Sequence, residues 1–375
     1  MAQTVAPDTT KLAVGGRILG MGRAFVGLAD DTGAIFTNPA GLASLNKWEI
    51  TSMSGTFMED YNYLNLSGAY PTRFGVFGFG FANSGISGGY ATKVKAGSDP
   101  NDPVYEPDYS QPAINYGNNV FLLSYGQELK HDKLPFKTFI GSSLKFIYSE
   151  MAGDGIGNGK ASGNELDLGI LIKPAPHISI GSTIKNTLTA AMGGKITYPS
   201  GHSESYPALL QGGVAFNILG KENALKTNND HELKALLDFD YALSQKNIPT
   251  IFHLGVEWSP IKMVDLRCGI DQDVMGDGAG TGLTATSNFT AGVGINYSEF
   301  RFDYAYHQFA GTPGVTNNFF SLSYSPPNII PAKESAKPII KPTSEETSGI
   351  NILNEVTNLK LPLRKEYKPK GSKKK

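Results

Sequence analysis

Cysteine is almost absent from this sequence: Cys268 is the single one among 375 residues. One cysteine excludes a disulfide within the chain and a zinc site built from several cysteines. Charged residues are also few, at 18%, against about 25% in an average domain. Glycine, phenylalanine and tyrosine are abundant instead, with 44, 20 and 17 residues. Because glycine is unfavourable inside helices and aromatic residues favour strands, this composition predicts sheet.

A long uninterrupted hydrophobic run is missing as well. The best candidate for a membrane-crossing helix, Leu12 to Ala29, contains Arg17, Arg23 and several glycines. A charge at bilayer depth is costly, so we predict no transmembrane helix. The mean hydropathy of −0.20 remains compatible with a membrane β-barrel, because a polar lumen face dilutes the hydrophobic signal.

Strict alternation of apolar and polar residues is the strongest pattern. In residues 300–307, Phe300, Phe302, Tyr304 and Tyr306 share one face of a strand. Counting such segments predicts an all-β fold, a transmembrane antiparallel barrel of about 14 strands. The predicted strands begin near residues 47, 62, 74, 118, 136, 164, 177, 207, 231, 250, 263, 288, 300 and 317. A soluble β-sandwich binding protein is the distant alternative, because its strands alternate too.

The connections favour the barrel. Short links, such as 71–73, 174–176, 259–262 and 298–299, alternate with longer Gly/Asn/Asp/Pro-rich stretches at 84–117, 150–163, 188–206 and 273–287. Outer-membrane barrels have short periplasmic turns and long outer loops. We therefore predict a protein of the cell outer membrane. An even number of strands then places both termini on the side of the short turns, in the periplasm.

The polar faces of the late strands carry most of the ionisable candidates. Charge must face away from lipid, so we predict that these side chains form a salt-bridged lumen wall. We therefore predict no enzyme, no catalytic residue, no cofactor and no metal site; the spacing of Asp271, Asp273 and Asp277 misses an EF-hand loop. The predicted lumen-facing charges are His253, Glu257, Asp265, Arg267, Asp271, Arg301, Asp303 and His307.

Three regions follow from these patterns: an N-terminal segment 1–46, a barrel 47–325 and a basic tail 326–375. The N-terminal segment is rich in glycine and small residues, and Leu19 to Leu28 is predicted as a short helix. The tail holds ten lysines and one arginine against five glutamates. With few interleaved aromatic residues, it predicts acidic periplasmic partners and no nucleic acid.

The N-terminal segment carries a resemblance to a known family. Gly16 to Asp31 followed by Asn38 to Ala43 resembles the opening of PorV/PorQ-type proteins, within the FadL-like (long-chain fatty-acid transporter) superfamily of outer-membrane barrels. Asp303 to Tyr306 is similar to the penultimate strand of that family. The motif residues are Arg17, Gly20, Met21, Gly22, Asp30, Asp31, Asn38, Pro39 and Ala40.

The resemblance implies a 14-stranded barrel whose N-terminal segment folds into the lumen as a hatch. Its PorV-type members belong to the type IX secretion machinery and bind secreted cargo and the translocon, whereas its FadL-type members take up hydrophobic molecules. We therefore expect a transport or protein-translocation role, with passive uptake of hydrophobic small molecules as the alternative. The expected partners are outer-membrane lipid, secreted protein cargo or periplasmic secretion subunits, and a hydrophobic small molecule.

Overall fold

The computed structural model describes residue 10 and residues 14–57, 61–131, 134–152, 159–245, 247–276, 282–308 and 316–327. One compact unit spans Met1–Ile329. The basic tail predicted at 326–375 lies outside the described residues, apart from its first two positions. Asp277, the last of the three aspartates compared with an EF-hand loop, also lies outside them.

Fourteen long strands follow one another along the described part of the chain. Each one alternates its side chains between two faces, as the sequence pattern predicts. The strands are β1 Glu49–Phe57, β2 Tyr61–Pro71, β3 Val76–Gly89, β4 Ile114–Leu129, β5 Lys137–Ala152, β6 Gly159–Ala175, β7 Ile178–Lys185, β8 Leu209–Gly220, β9 Glu232–Ala242, β10 Ile251–Ile261, β11 Val264–Gly276, β12 Leu283–Tyr297, β13 Phe300–Gln308 and β14 Thr316–Tyr324.

These strands form one closed antiparallel sheet. Each strand pairs with its neighbours in the chain, and the first strand also pairs with the last. Ile50 of β1 lies opposite Gly68 of β2 on one side and opposite Tyr324 of β14 on the other. Closure removes every long edge of the sheet. The predicted all-β barrel of 14 strands is thus confirmed, and the sandwich alternative is wrong because the strands form one sheet and not two.

The barrel has its polarity reversed relative to a water-soluble protein. On β10, His253 and Glu257 are 3% and 4% exposed, whereas Phe252 and Trp258 are 50% and 42% exposed. The same alternation runs around the barrel, so the outer surface is an apolar band of a kind that faces lipid. Its members include Leu64, Leu66, Phe77, Phe79, Leu123, Leu168, Ile170, Leu254, Ile270, Phe289, Phe302, Phe320 and Leu322. No helix in the described part of the chain is long and apolar enough to cross a membrane.

The connections differ between the two ends of the barrel. One end has the short turns 72–75, 176–177, 262–263 and 298–299, and the opposite end has the long segments 90–113 and 186–208. The strands extend further into the predicted loops than the sequence suggested: β3 continues to Gly89 and β4 begins at Ile114. Glycine-rich and asparagine-rich stretches lack alternation, but their backbones still pair when a neighbouring strand continues beside them.

Residues 14–46, called the hatch below, fold inside the barrel. They form helix α1, Gly16–Gly20, and two short 3-10 turns, Thr32–Ile35 and Pro39–Ser44. The helix predicted from Leu19 to Leu28 is wrong, because Gly22 and Arg23 both adopt a φ of 62° and end the helical path. The apolar hatch side chains are buried among inner-wall residues. They include Ile18, Leu19, Met21, Phe25, Ile35, Phe36 and Leu42.

Candidate functional site

Glycines on the inner wall let the hatch backbone approach the strands closely. A Cβ added to Gly255 of β10 would lie 2.5 Å from the carbonyl oxygen of Met21, and one added to Gly269 of β11 would lie 2.5 Å from the carbonyl carbon of the same residue. Neither position has room for a side chain while the hatch is in place. Other inner-wall glycines against the hatch are Gly126, Gly141, Gly169, Gly181, Gly213 and Gly292.

The motif residues of the hatch are placed by capping as well as by packing. Asp31 accepts a hydrogen bond from the Gly33 amide and begins the first 3-10 turn, and Asn38 accepts one from the Ala40 amide and begins the second. Asn38 also donates from Nδ2 to the carbonyl oxygens of Val26 and Ile170, each at 3.0 Å. This asparagine therefore joins two parts of the hatch to strand β6. Gly20, Met21, Gly22, Pro39 and Ala40 are all buried.

Arg17 is the centre of the largest ionic cluster. Its guanidinium contacts Glu257 of β10 at two points, Nε to Oε2 and Nη2 to Oε1, both at 2.8 Å. Its Nη1 lies 2.5 Å from Asp30 and 2.8 Å from Asp31 of the hatch. Two-point contacts between arginine and carboxylate are among the strongest hydrogen-bonded pairs in proteins. Lys234 of β9 also contacts Glu257, at 2.9 Å.

The cluster continues around the wall through two further arginines. Arg267 of β11 contacts Glu257 at 2.8 Å, Asp303 of β13 at 2.8 Å and Asp265 at 3.1 Å. Arg301 of β13 contacts Asp303 at 3.0 Å and reaches the hatch at Asp31, 3.1 Å away. Positive and negative groups alternate through the network, so each buried charge has partners of opposite sign.

Two of the hatch charges, Arg17 and Asp30, remain ionised at neutral pH. Burial lowers the pKa of Arg17, but the charges of Asp30 and Glu257 outweigh that effect and hold the pKa well above its usual range. Burial raises the pKa of Asp30, but Arg17 and Lys234 outweigh it and hold the pKa below its usual range. The pair is therefore an ion pair and not a neutral hydrogen bond.

A second cluster surrounds Arg23 of the hatch. Arg23 contacts Asp271 at 2.7 Å and Asp273 at 3.0 Å, both on β11. His307 of β13 lies 2.9 Å from the same Asp271, and Asn288 of β12 donates to Asp273 at 2.7 Å. These contacts fix Arg23 to the wall. Among the residues that the structure describes, no group of three or more His, Cys, Asp or Glu is arranged to hold a metal ion.

The inner wall has two contrasting parts. The charged arc, β9 to β13, supplies every wall partner of Arg17 and Arg23. The neutral arc, β14 and β1 to β4, contains two charged residues, Glu49 and Glu128, and both lie toward the short-turn end. Apart from these two residues its inner face is uncharged: apolar residues alternate with neutral polar ones such as Asn65 and Asn118. This face packs on Ile35, Phe36 and Leu42 of the hatch. The buried apolar residues of this arc are Met53, Ala69, Val76, Ala82, Val120, Leu122 and Phe319.

The structure brings the eight predicted lumen-facing residues to the inner side of the charged arc. Five of them, Glu257, Asp265, Arg267, Arg301 and Asp303, join the Arg17 cluster. Asp271 and His307 join the Arg23 cluster, and His253 lies 3.4 Å from Asp240.

Sequence reasoning missed several further hatch contacts. Asp238 of β9 accepts hydrogen bonds from the backbone amides of Phe25 and Val26, both at 2.6 Å. Lys185 of β7 donates to the carbonyl oxygen of Phe36 at 2.8 Å. The signal was present for Asp238, which alternates with Leu237 and Phe239, but nothing in the pattern shows that a backbone segment lies against it.

A cavity of about 630 Å³, called the vestibule below, opens at the short-turn end. Leu28, Asp30 and Ala43 of the hatch form one side, and strands β4 to β9 form the other. Its wall mixes apolar residues with three lysines, Lys137, Lys173 and Lys234. Lys173 Nζ lies 5.6 Å from the centre of the Phe139 ring, a cation–π distance.

No protein-family model and no curated protein sequence matches the chain. Solved structures do match. The toluene transporter TodX of Pseudomonas putida superposes with a TM-score of 0.55 at 13% identity, over 86% of this chain and 99% of that one. The toluene transporter TbuX of Ralstonia pickettii gives a TM-score of 0.50 at 13% identity, over 83% and 98%. The PorV/PorQ resemblance stays a prediction. The chain shares the fold of these two solved barrels, and its own 14 antiparallel strands close around an N-terminal segment.

Proposed function

We propose that this protein is an outer-membrane channel for small hydrophobic molecules, closed by its N-terminal hatch, with both termini in the periplasm. The apolar band on the outer face supports the membrane location, because exposed Phe, Leu and Ile on successive strands are costly in water. The toluene transport named for the two solved barrels supports a hydrophobic solute.

The neutral arc carries this proposal. Hatch residues Ile35, Phe36 and Leu42 meet apolar wall residues there, and Gly78 and Gly80 of β3 face the same side chains. The side-chain part of this contact consists of dispersion and hydrophobic burial, which a hydrophobic solute can replace. The hydrogen bonds that join the hatch to this arc, from Thr32 to Thr51 and from Ser67 to Thr32, connect neutral groups, so their loss costs less than breaking a buried ion pair. On the charged arc, the same displacement would leave buried charges without partners of opposite sign. The passage therefore runs along the neutral arc while the hatch stays held by the charged arc.

The vestibule supports an exit at the short-turn end. It lies directly below the hatch segment that contains Leu28 and Asp30, and Phe136, Phe139 and Ile178 give it an apolar lining. A volume of about 630 Å³ is in the range of small-molecule pockets, about 300–1,000 Å³. A solute that leaves the neutral arc has space there before it reaches the periplasm.

Uptake into proteoliposomes tests this function. The full chain is reconstituted, and entry of radiolabelled toluene is compared with entry of a polar solute of similar size. We expect protein-dependent entry of toluene and little entry of the polar solute. Two matched variants change the same side chain of the neutral arc. Val120→Asp places a charge there, and Val120→Ala only shortens the side chain. We expect the first to reduce toluene entry strongly and the second to leave it near wild type. Equal entry of both solutes, or toluene entry unaffected by Val120→Asp, would contradict the proposal.

A second candidate is the protein-translocation role that the hatch motif implies, and one observation favours it. In the long segment 90–113, a hairpin of Thr92–Val94 and Tyr105–Pro107 exposes Val104 and Tyr105 by 55% and 62%. Exposed aromatic and aliphatic groups on a loop are typical of protein-binding surfaces. Replacing residues 92–107 by two glycines tests this candidate. Loss of partner proteins with unchanged toluene entry would support it; loss of neither would count against it.

A further inference from the structure

A small cavity lies inside the barrel between the hatch and strands β7 to β10. Its volume is about 40 Å³, which is room for one to a few water-sized groups at about 10–15 Å³ each. Val14, Ile18 and Val26 of the hatch form its apolar side. The polar side chains that line it are Arg23, Thr37, Lys185, Gln211, Asp238, Asp240 and His253.

Three hydrogen-bond acceptors belong to residues that line this cavity. Gln211 donates from Nε2 to Asp240 at 2.8 Å. This hydrogen bond orients the amide and leaves its oxygen, Oε1, as an acceptor. His253 Nε2 lies 3.4 Å from the same Asp240, so a proton on Nε2 makes Nδ1 an acceptor. Asp238 uses Oδ2 for the amides of Phe25 and Val26. In the described part of the chain, Gln211 Oε1, His253 Nδ1 and Asp238 Oδ1 are buried without a hydrogen-bond partner.

Asp238 is also buried without a counter-ion. It is 1% exposed, and no basic side chain lies within 4.0 Å of its carboxylate among the described residues. The cations nearest the cavity have other partners: Arg23 is held by Asp271 and Asp273, and Lys185 donates to a backbone carbonyl. An isolated buried carboxylate is costly unless a cation or a proton accompanies it.

We propose that this cavity binds ammonium or a small primary alkylammonium ion. Such an ion brings one positive charge and several N–H donors, which match three unpartnered acceptors, one of them on the uncompensated carboxylate of Asp238. A metal ion fits less well, since hard cations prefer an all-oxygen shell and His253 supplies a nitrogen. This site lies outside the neutral arc and goes beyond the proposed uptake of hydrophobic solutes.

Occupancy of the site acts on the hatch through Asp238. One oxygen of this carboxylate holds the amides of Phe25 and Val26, and the other is left for the ion. Val26 lines the cavity, whereas Leu28 lines the vestibule, so segment 25–28 separates the two spaces. The backbone of this segment lies against Gly181 of β7 and Gly213 of β8. A bound cation keeps Asp238 ionised and thereby steadies this segment.

The test compares three salts on the purified full chain in detergent micelles. Thermal unfolding is followed in ammonium, potassium and tetramethylammonium chloride at equal ionic strength. Tetramethylammonium has the charge but no N–H donor and does not fit the cavity. We expect a higher midpoint in ammonium than in either other salt, because a ligand that binds the folded state stabilises it. Titration with ¹⁵N-ammonium, followed by NMR line broadening, gives the affinity directly.

Variants locate the effect. Gln211→Leu removes one acceptor without touching the hatch backbone, and we expect about tenfold weaker ammonium binding, the size of one hydrogen bond to a charged group. Asn217→Leu, on the same strand but lining the vestibule, is the matched control and should keep the wild-type affinity. Equal midpoints in the three salts, or an undiminished response in Gln211→Leu, would overturn the proposal and mean that the cavity holds water only. Neither readout depends on solute passage, so such a failure leaves the uptake proposal untouched.

Discussion

Arg17 of the hatch and Glu257 of strand β10 form a buried two-point ion pair, with both N–O distances at 2.8 Å. The two residues are 240 positions apart in the chain, so the pair joins the N-terminal hatch to a strand that comes late in the sequence. Lys234 and Arg267 contact the same carboxylate. The hatch is therefore held by a shared network of wall charges and not by a single contact.

Arg17→Ala should loosen the hatch. The substitution leaves Asp30 and Asp31 without their main cation, and breaking a buried ion pair costs about 3–5 kcal/mol. We expect a lower unfolding midpoint and larger ion conductance in planar bilayers. Lys160→Ala is the control, because Lys160 and Glu150 form an exposed pair, and such pairs contribute about 0–1 kcal/mol. Unchanged conductance in Arg17→Ala would show that the pair does not hold the hatch.

Arg301→Ala should also loosen the hatch, but less than Arg17→Ala does. Arg301 reaches the hatch through Asp31 at 3.1 Å, and Arg17 still contacts that carboxylate in the variant. We expect increased conductance or detergent sensitivity, weaker than in Arg17→Ala. Combining the two substitutions should cost more than the sum of both, since they share Asp31. Strict additivity in conductance and midpoint would contradict the shared network.

Gly269→Ala should displace the hatch, because a Cβ at this position would lie 2.5 Å from the carbonyl carbon of Met21. Backbone on both sides leaves little room to adjust, so we expect a destabilised hatch and raised conductance. Gly276→Ala on the same strand is the matched control: nothing lies within 4 Å of its added Cβ. Identical behaviour of the two variants would mean that the hatch does not seat against β11 as described.

Acid should release the hatch only at low pH. The pKa of Asp30 is held below its usual range by Arg17 and Lys234, whereas in an unfolded chain it is about 4. The stabilisation is therefore complete above about pH 4 and is lost as the pH falls through the lower folded-state pKa. The contribution of Asp30 is the difference in conductance between wild type and Asp30→Asn, and we expect it to stay constant between pH 7 and 4 and to change below that. A change in this difference near neutral pH would contradict its cause.

The barrel was predictable from the sequence because its signal is local. Alternation at period two assigns inner and outer faces residue by residue, as Phe252 and His253 show, and β10 and β11 fall within one residue of their predicted starts. The ends of the strands were harder to predict from the sequence. Segments such as 84–89 carry Gly, Asn and Ser without alternation, and only the neighbouring strand decides whether they pair.

The hatch was less predictable because its path depends on the wall around it. The left-handed conformations of Gly22 and Arg23 end a helix that local composition would continue. Asp238 looks like any polar-face residue until segment 25–28 is placed against it. The inner-wall glycines likewise read as strand breakers, and their role becomes visible only when the hatch backbone lies over them.

The most direct test ties the hatch to the neutral arc and measures toluene entry. A Cβ at Gly78 would lie 3.0 Å from Cγ1 of Ile35, so Gly78→Cys with Ile35→Cys places the two Cβ atoms within disulfide reach, about 3.5–4.5 Å. The exposed Cys268 is replaced by serine. We predict that oxidation blocks toluene entry into proteoliposomes and that reduction restores it. Full toluene entry with the disulfide formed would contradict passage along the neutral arc.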